Sequence, residues 1–359
     1  MDERPDQASG TSSVRVAVDA MGGDHGPSEV VPGALDYARR RPADRILLVG
    51  DEAKIREIAG PLPPNVEIRQ ASQVVDMHDH PAQALREKRD ASILVAADLV
   101  RSGEADAVVT AGHTGAAMAA AILRIGRLPG VDRPALAVQM IRRGAPFVLL
   151  DVGANPDSTP ENLAQYARMG AIFAERVLGI EQPRVALLSI GEERGKGEKR
   201  VQRATELIDG LGLRFIGNVE GKDLTEDHAD VVVCDAVAGN IVIKFFEGLS
   251  GFIFDIFREE FRGSLRGRLA YLLFRPSLAR IRGVFDYERI GGSPLLGVKG
   301  SVIITHGRAK RRMISHAVEV GAETARTGVP ALIAEAFTQT PVVPRAADQH
   351  STPAPEGQS

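Results

Sequence analysis

The chain has 359 residues, 44% of them hydrophobic and 25% charged, with a formal net charge of -3; that is enough apolar material for one large core or two modest domains. The charge balance excludes a globally basic nucleic-acid binder. The single cysteine, Cys234, excludes an internal disulfide framework, a cysteine zinc cluster and an iron–sulfur site.

Both ends read as disordered tails. Residues 1–13 are acidic and small, without the basic start and apolar run of a signal peptide. From residue 338 onward the chain is rich in Pro, Gln and Ser and cannot bury enough apolar surface to order. No uninterrupted apolar stretch approaches the ~20 residues of a membrane span, so the expected location is the cytoplasm. One α/β domain is expected over 14–337.

Short apolar, β-branched runs recur at 14–23, 46–51, 106–115, 147–155, 184–193, 213–218, 230–240 and 301–307, and each leads into Gly, Asp, Asn or Thr. Near-continuous apolar runs of this kind belong to strands buried on both faces of a parallel sheet. They alternate with helical patterns at 86–102, 115–126 and 160–179. The expected fold is therefore a doubly wound, largely parallel α/β sheet with helices on both faces. Thr159 reads as an N-cap with Pro160 in the first turn, and Gly179 as the stop of that helix.

In such sheets ligands gather at the C-terminal ends of strands, where this chain places its Gly and polar residues. The loop Asp19-Ala20-Met21-Gly22-Gly23-Asp24 follows the first strand. It reads either as a tight turn or as an anion-binding loop, and it lacks the Walker A and dinucleotide fingerprints. Gly112-His113-Thr114-Gly115 precedes an Ala-rich helix, where free amides favour an anion and Thr114 would cap the helix or hold a phosphate oxygen. Asp151-Val152-Gly153-Ala154-Asn155 is a third strand-end loop. The run Gly191–Gly197 places Lys196 between glycines, suited to a phosphate or simply to solvent. Gly239-Asn240 precedes Lys244, and Gly291-Gly292 lies upstream of Lys299 and His306. Together these loops point to a phosphate-bearing or otherwise anionic substrate. Against them stand blander candidates. His78-Asp79-His80 has no accompanying Cys or His cluster to make a metal site, and Cys234 ends an apolar run as a small buried hydrophobe. No GxSxG elbow supports a serine ester.

The motifs DAMGGDHGP, GHTGA, RPALA, LLDVGAN, GEE…KG, CDAVAGNI, GGSPLLGVKG and THG occur in that order between Val14 and Ala336. The chain thereby resembles the PlsX-type phosphate acyltransferases. The resemblance implies a fold related to isocitrate and isopropylmalate dehydrogenases and to phosphotransacetylase, and a homodimer without a cofactor. It implies transfer of a fatty acyl group from acyl carrier protein to inorganic phosphate, with a glycerol-3-phosphate acyltransferase consuming the acyl phosphate. Departures from the family pattern are His113 for the usual Asn, Val237-Ala238 for Phe-Thr, Arg86-Glu87-Lys88-Arg89 for Arg-Arg-Lys-Lys, and Ile290 for Tyr. The alternatives are a phosphotransacetylase-like enzyme on the same fold, or a non-catalytic membrane or carrier-binding module.

Phosphate is itself a nucleophile, so positioning and oxyanion stabilisation suffice without a Ser, Cys or metal. On this reading Gly22, Gly23, Gly112 and Gly115 present amides, Thr114 and Asn155 fix oxygens, and Lys196 or Lys244 supplies charge. Asp19, Asp24 and Asp151 orient those cations or move protons. His113, Gly153, Asn240, Gly291 and Gly292 complete the expected phosphate-binding set.

Eight of the 12 Phe fall between Phe245 and Phe285. Phe254, Phe257, Phe261, Leu265, Leu269 and Leu272 step by three or four residues, tracing a helical stripe. Seven Arg, Arg258 and Arg262 among them, face only Glu259 and Glu260 between 258 and 282. With Gly263, Gly267 and Pro276 interrupting, a helical hairpin over 249–285 is expected. It suits a membrane surface, an acidic carrier protein or a second subunit.

Overall fold

The computed structural model describes residues 12–340 and 342, apart from 77, 143–144 and 285–290. Its strands are β1 (Arg15–Asp19), β2 (Arg45–Gly50), β3 (Val66–Gln70), β4 (Ala107–Thr110), β5 (Ala135–Met140), β6 (Phe147–Leu150), β7 (Val185–Leu188), β8 (Phe215–Val219), β9 (Val231–Val233), β10 (Ser293–Leu296) and β11 (Ser301–Ile304). The α-helices are α1 (Pro27–Arg40), α2 (Glu52–Ala59), α3 (Pro81–Glu87), α4 (Ser92–Arg101), α5 (Thr114–Ala120), α6 (Pro160–Val177), α7 (Lys199–Asp209), α8 (Ala236–Arg262), α9 (Leu265–Val284), α10 (Arg311–Arg326) and α11 (Val329–Gln339).

All eight apolar runs contain a strand, and the strands form one sheet in the order β3-β2-β1-β4-β11-β10-β5-β6-β9-β7-β8. Strands β1, β2, β4 and β6 are buried along nearly their whole length, as expected where helices cover both faces. Three strands have no counterpart among the expected runs. β3 is a half-exposed edge strand. β5 and β10 lie in the RPALA and GGSPLLG segments, where Pro134 and Pro294 read as turn residues.

Those two strands change the topology. β10 is antiparallel to β11, β5 to β10, and β6 to β5. Three reversals leave β6, β9, β7 and β8 running opposite to β1, β2, β4 and β11. The strand-end loops therefore do not share one sheet edge, as a single parallel direction would require.

The expected helix 86–102 is two helices, α3 and α4. Between them Asp90 accepts bonds from the backbone N–H and the hydroxyl of Ser72, both at 2.6 Å, which pins the chain out of helical geometry. The helix expected at 115–126 runs from Thr114 and closes in a π-helical turn, Ala121–Ile125. α6 has its cap as read: Thr159 Oγ1 accepts from Asn162 N and the Asn162 side chain returns the bond, a capping box. Gly179, at φ 69°, follows its end.

The tails at 1–11, 341 and 343–359 lie outside the described residues. Helix α11 continues to Gln339, past the expected domain end at 337. Phe337 is buried there beneath the Arg168 guanidinium, which also binds the carbonyls of Ala336 and Thr340.

Helix α8 starts at Ala236, well before the expected hairpin boundary. Asp235 caps it, with Oδ1 accepting from Val237 N and Ala238 N. Gly239 sits where α8 crosses the end of β6: a Cβ there would lie 2.1 Å from the Asp151 carbonyl oxygen. Only the absence of a side chain lets the helix approach so closely. By length and composition α8 could cross a bilayer, with a mean hydropathy of 1.4 in its most apolar window, only 11% of which is buried. Its apolar run is nonetheless interrupted by Lys244, Glu247 and Asp255, so no uninterrupted stretch of spanning length occurs in it.

α8 and α9 form the projecting hairpin, and Phe285 at its expected end lies outside the described residues. The expected stripe is only partly an outer face: Phe257, Leu269 and Leu272 are exposed, whereas Phe254 and Phe261 are half-buried. Phe254, Phe257 and Phe261 pack in sequence, with centroids 6.5 and 6.4 Å apart, and Phe261 meets Tyr271 of α9 at 5.7 Å. The outward stripe is Ile241, Phe245, Leu249, Phe252 and Ile256, all exposed. Arg258 pairs with Asp255, and Arg262 is exposed in the last turn of α8. Leu265 opens α9, its side chain outside the described residues.

Replacing Gly239 by Ala forces α8 off the β6 end. Gly239→Ala is expected to lower unfolding free energy by about 1–3 kcal/mol, the range for overpacking, as read by urea denaturation.

Candidate active site

On one face of the central strands lies a cleft of about 400 Å³. Its floor is Leu136, Val138 and Met140, the alternate residues of β5 that share one face. Ile243 and Phe246 of α8 and Met313 of α10 extend the apolar surface. Polar groups gather along its rim: Thr114 at the start of α5, Asn240, Lys244 and Glu247 on α8, Ser293 on β10, and Thr305 and His306 after β11.

Lys244 Nζ lies 3.1 Å from His306 Nε2 and 3.1 Å from a Glu247 carboxylate oxygen. Arg308 stands 3.8 Å from the same carboxylate. Burial pushes the His306 imidazole below its usual range, and Lys244 and Arg308 push it further, against Glu247 and Asp24. The ring thus favours its uncharged form, beside an ammonium already paired with Glu247.

Of the expected set, Gly112, Thr114, Gly153, Asn240, Lys244 and Gly292 line the cleft. Asp24 borders it: its amide donates to the Gly307 carbonyl at 2.8 Å, and its charge is felt at His306. Lys244 lies on a helix as expected, but Gly239-Asn240 does not precede that helix; both lie inside α8, which begins at Ala236.

The other residues serve the scaffold. Asp19 is buried and free of cations, its carboxyl pushed up by burial. Its Oδ2 accepts the Thr110 hydroxyl at 2.7 Å, and the Met21 and Gly22 amides turn toward it. Thr110 Oγ1 in turn accepts from Gly112 N at 2.9 Å. The Gly22 and Gly112 amides are thus occupied, and the two glycines instead let the loops touch, with Gly112 N 2.8 Å from a Cβ at Gly22. Gly23, at φ 91°, turns the loop against Gly307. Gly291 packs on α10 and gives its carbonyl to Thr305 Oγ1 at 2.6 Å.

Asp151 is fully buried, which pushes its carboxyl up. It accepts from the amides of Leu136, Gly153, Ala154 and Asn155 and from Asn155 Nδ2. Asn155 also donates to the Pro134 carbonyl at 2.6 Å. Neither side chain lines the cleft; together they shape the turn that delivers Gly153 to it. Lys196 is exposed in the loop after β7, whose direction is reversed, and is not a lining residue. Cys234 is buried beside the Asp151 carbonyl, its thiol pushed far up by burial, and behaves as the expected hydrophobe. Asp79 pairs with Lys88 at 2.5 Å, and no metal-like group of three or more His, Cys, Asp or Glu occurs among the described residues.

The cap of α5 is His113, not Thr114. Its Nδ1 accepts from Gly115 N at 3.0 Å and from Ala116 N at 3.4 Å, which occupies the Gly115 amide and leaves Thr114 as the first helical residue. An Asn side chain can make the same bonds.

Sequence reasoning passed over β5, Ile243, Phe246, Glu247 and Met313, and mentioned His306 only as lying downstream. The alternation of Leu136, Val138 and Met140 was the available signal for the floor. For the helix it was the i, i+3, i+4 spacing of Asn240, Ile243, Lys244 and Glu247.

The family model described as "Fatty acid synthesis protein" matches residues 14–332. Relatives named phosphate acyltransferase include those of Desulfitobacterium hafniense, 46% identical over 88% of this chain and 95% of its own length, and Nostoc, 45% over 88% and 93%. That of Myxococcus xanthus is 44% identical over 89% and 92%. The chain belongs to the phosphate acyltransferase family. Solved structures share its fold: a Streptococcus pyogenes phosphotransacetylase (TM-score 0.61, 19% identity, 87% of this chain and 94% of that one). A Klebsiella pneumoniae 4-hydroxythreonine-4-phosphate dehydrogenase follows (0.53, 12%, 88% and 100%). The His113 cap explains how His can stand in the phosphate acyltransferase fold where the resemblance implies Asn. His113→Asn is expected to keep thermal stability, whereas His113→Ala loses about 1 kcal/mol, both read by denaturant titration.

Proposed function

We propose that this acyltransferase moves a fatty acyl group from acyl carrier protein to inorganic phosphate. The observation that carries the reading is the union of one apolar floor with a polar rim bearing Lys244 in a single cleft. Leu136, Val138, Met140 and Phe246 match an acyl chain. Lys244, Thr114 and Asn240 match a phosphate beside its thioester carbonyl. Phosphate attacks, so the protein need only hold the two reactants in line and stabilise the oxyanion. Acyl phosphates are reactive anhydrides, which suits consumption by a glycerol-3-phosphate acyltransferase.

The exposed apolar surface of the hairpin supports two contacts. The α8 stripe from Ile241 to Ile256 is continuous with the body and suits a homodimer seam. Leu269, Leu272, Leu273 and Phe274 on α9 are exposed beside Arg266 and Arg275, a pattern suited to peripheral contact with the inner face of the cell membrane by a cytoplasmic enzyme. Basic residues there also suit an acidic carrier protein.

Incubation with long-chain acyl carrier protein and phosphate, with hydroxylamine trapping of product, should yield acyl phosphate. Lys244→Ala and Thr114→Ala should each lower kcat/KM for phosphate about tenfold to hundredfold, the equivalent of one charge-assisted hydrogen bond. Absence of phosphate-dependent product overturns the reading. Equal turnover of a coenzyme A thioester favours a phosphotransacetylase-like enzyme. For the hairpin, Leu272→Glu with Leu273→Glu should abolish co-sedimentation with anionic liposomes, and Phe245→Glu with Phe252→Glu should shift sedimentation toward monomer.

A further inference from the structure

Acyl transfer from a thioester to hydrogen phosphate leaves one proton to be moved. The attacking P–O forms a bond to the carbonyl carbon, the C–S bond breaks with its electron pair on sulfur, and the phosphate proton must leave oxygen for sulfur. The sum needs no outside acid or base, but the transfer is helped by a carrier that reaches both atoms.

The rim holds one group of the right kind. His306 lines the cleft next to Lys244, its ring half-buried between α8, the β1–α1 loop and its own turn. An ammonium has three donors and no acceptor, so Lys244 at 3.1 Å directs a proton to Nε2, whose lone pair then faces that ammonium at the cleft rim. The Arg308 amide also donates to Nδ1, at 3.3 Å; a neutral ring has one acceptor nitrogen, and the shorter Lys244 contact assigns it to Nε2. Of the three carboxylates suggested for proton transfer, Asp19 and Asp151 are sealed beneath the loops; Asp24 borders the cleft and bears on His306 through its charge, but none of the three lines it.

We propose that His306 is the proton carrier of the reaction, taking the proton of hydrogen phosphate on Nε2 as the acyl–oxygen bond forms and giving it to the departing sulfur. The inference rests on the acyltransferase reading and adds to it a residue and a step. When phosphate enters, Lys244 turns its donors to the phosphate oxygens, which frees Nε2 for the proton. Glu247 holds the ammonium from the other side.

The charged groups facing the ring are Lys244 and Glu247 on α8, Arg308 on the same turn and Asp24 on the β1–α1 loop. Their signs set the pH behaviour. The carrier starts neutral, so activity falls as pH drops through its pKa. Lys244 and Arg308 lower that pKa and Glu247 raises it. Removing Arg308 must therefore move the acid limb of kcat to higher pH, and removing Glu247 must move it to lower pH.

The test is the pH profile of acyl phosphate formation by the full chain, using acyl carrier protein thioester and inorganic phosphate. His306→Gln should lose about 10²–10⁴-fold in kcat, the range for general acid–base catalysis, with phosphate KM changed less than about threefold. Imidazole should restore part of the rate in His306→Gly. Arg308→Gln and Glu247→Gln should shift the acid limb in opposite directions, and they decide the matter if the His306 variants do not fold by circular dichroism. The proposal is overturned if His306→Gln keeps its kcat, if its loss lies wholly in KM, or if the two neighbouring variants leave the limb in place. Failure of the unaltered protein to make acyl phosphate overturns the acyltransferase reading itself, a result distinct from turnover that ignores His306.

Discussion

One buried carboxylate organises the middle of the molecule. Asp151 receives five N–H donors from β5, from its own turn and from Asn155, while its backbone carbonyl supports α8 at Gly239. A carboxylate taken out of water is costly unless its oxygens are hydrogen-bonded. The folded chain meets that demand with backbone groups that would otherwise be unpaired at the end of β6. The result locks three elements that sequence separates by up to a hundred residues. The floor of the cleft, the Gly153 turn and the helix bearing Lys244 all take their positions from it.

Much of this was legible in the sequence for a simple reason. Strands buried on both faces are apolar throughout, and such runs at 14–23, 106–115 and 301–307 announce themselves. So does the Thr159–Asn162 cap, whose signal is local. β5 and β10 were hidden because each adjoins or contains a proline, and proline reads as punctuation unless the pairing partner is known. Their antiparallel pairing with β11 and β6 reverses half of the sheet, and no local pattern carries strand direction across such distances.

The loops show a different limit. Gly22, Gly112 and Gly115 lie in the expected region, yet their amides answer to Asp19, Thr110 and His113. Composition reveals that a backbone is accessible; it does not reveal which acceptor reaches it first. Side chains on a helix wall carry the rim chemistry instead. The same holds for the Phe-rich hairpin, where a three-and-four spacing was present on two faces. Phe254 and Phe261 are half-buried, with Phe257 between them at the surface, while Phe245 and Phe252 lie outside.

Lys244 and Ile256 belong to one unbroken helix, twelve residues or about 18 Å apart at 1.5 Å per residue. A helix transmits rotation along its length because bending it breaks backbone hydrogen bonds. The arm and the cleft wall are thus one rod, held at Gly239 against the end of β6. The outer stripe and the cleft cation are carried on it together, so the helix itself fixes their relative orientation.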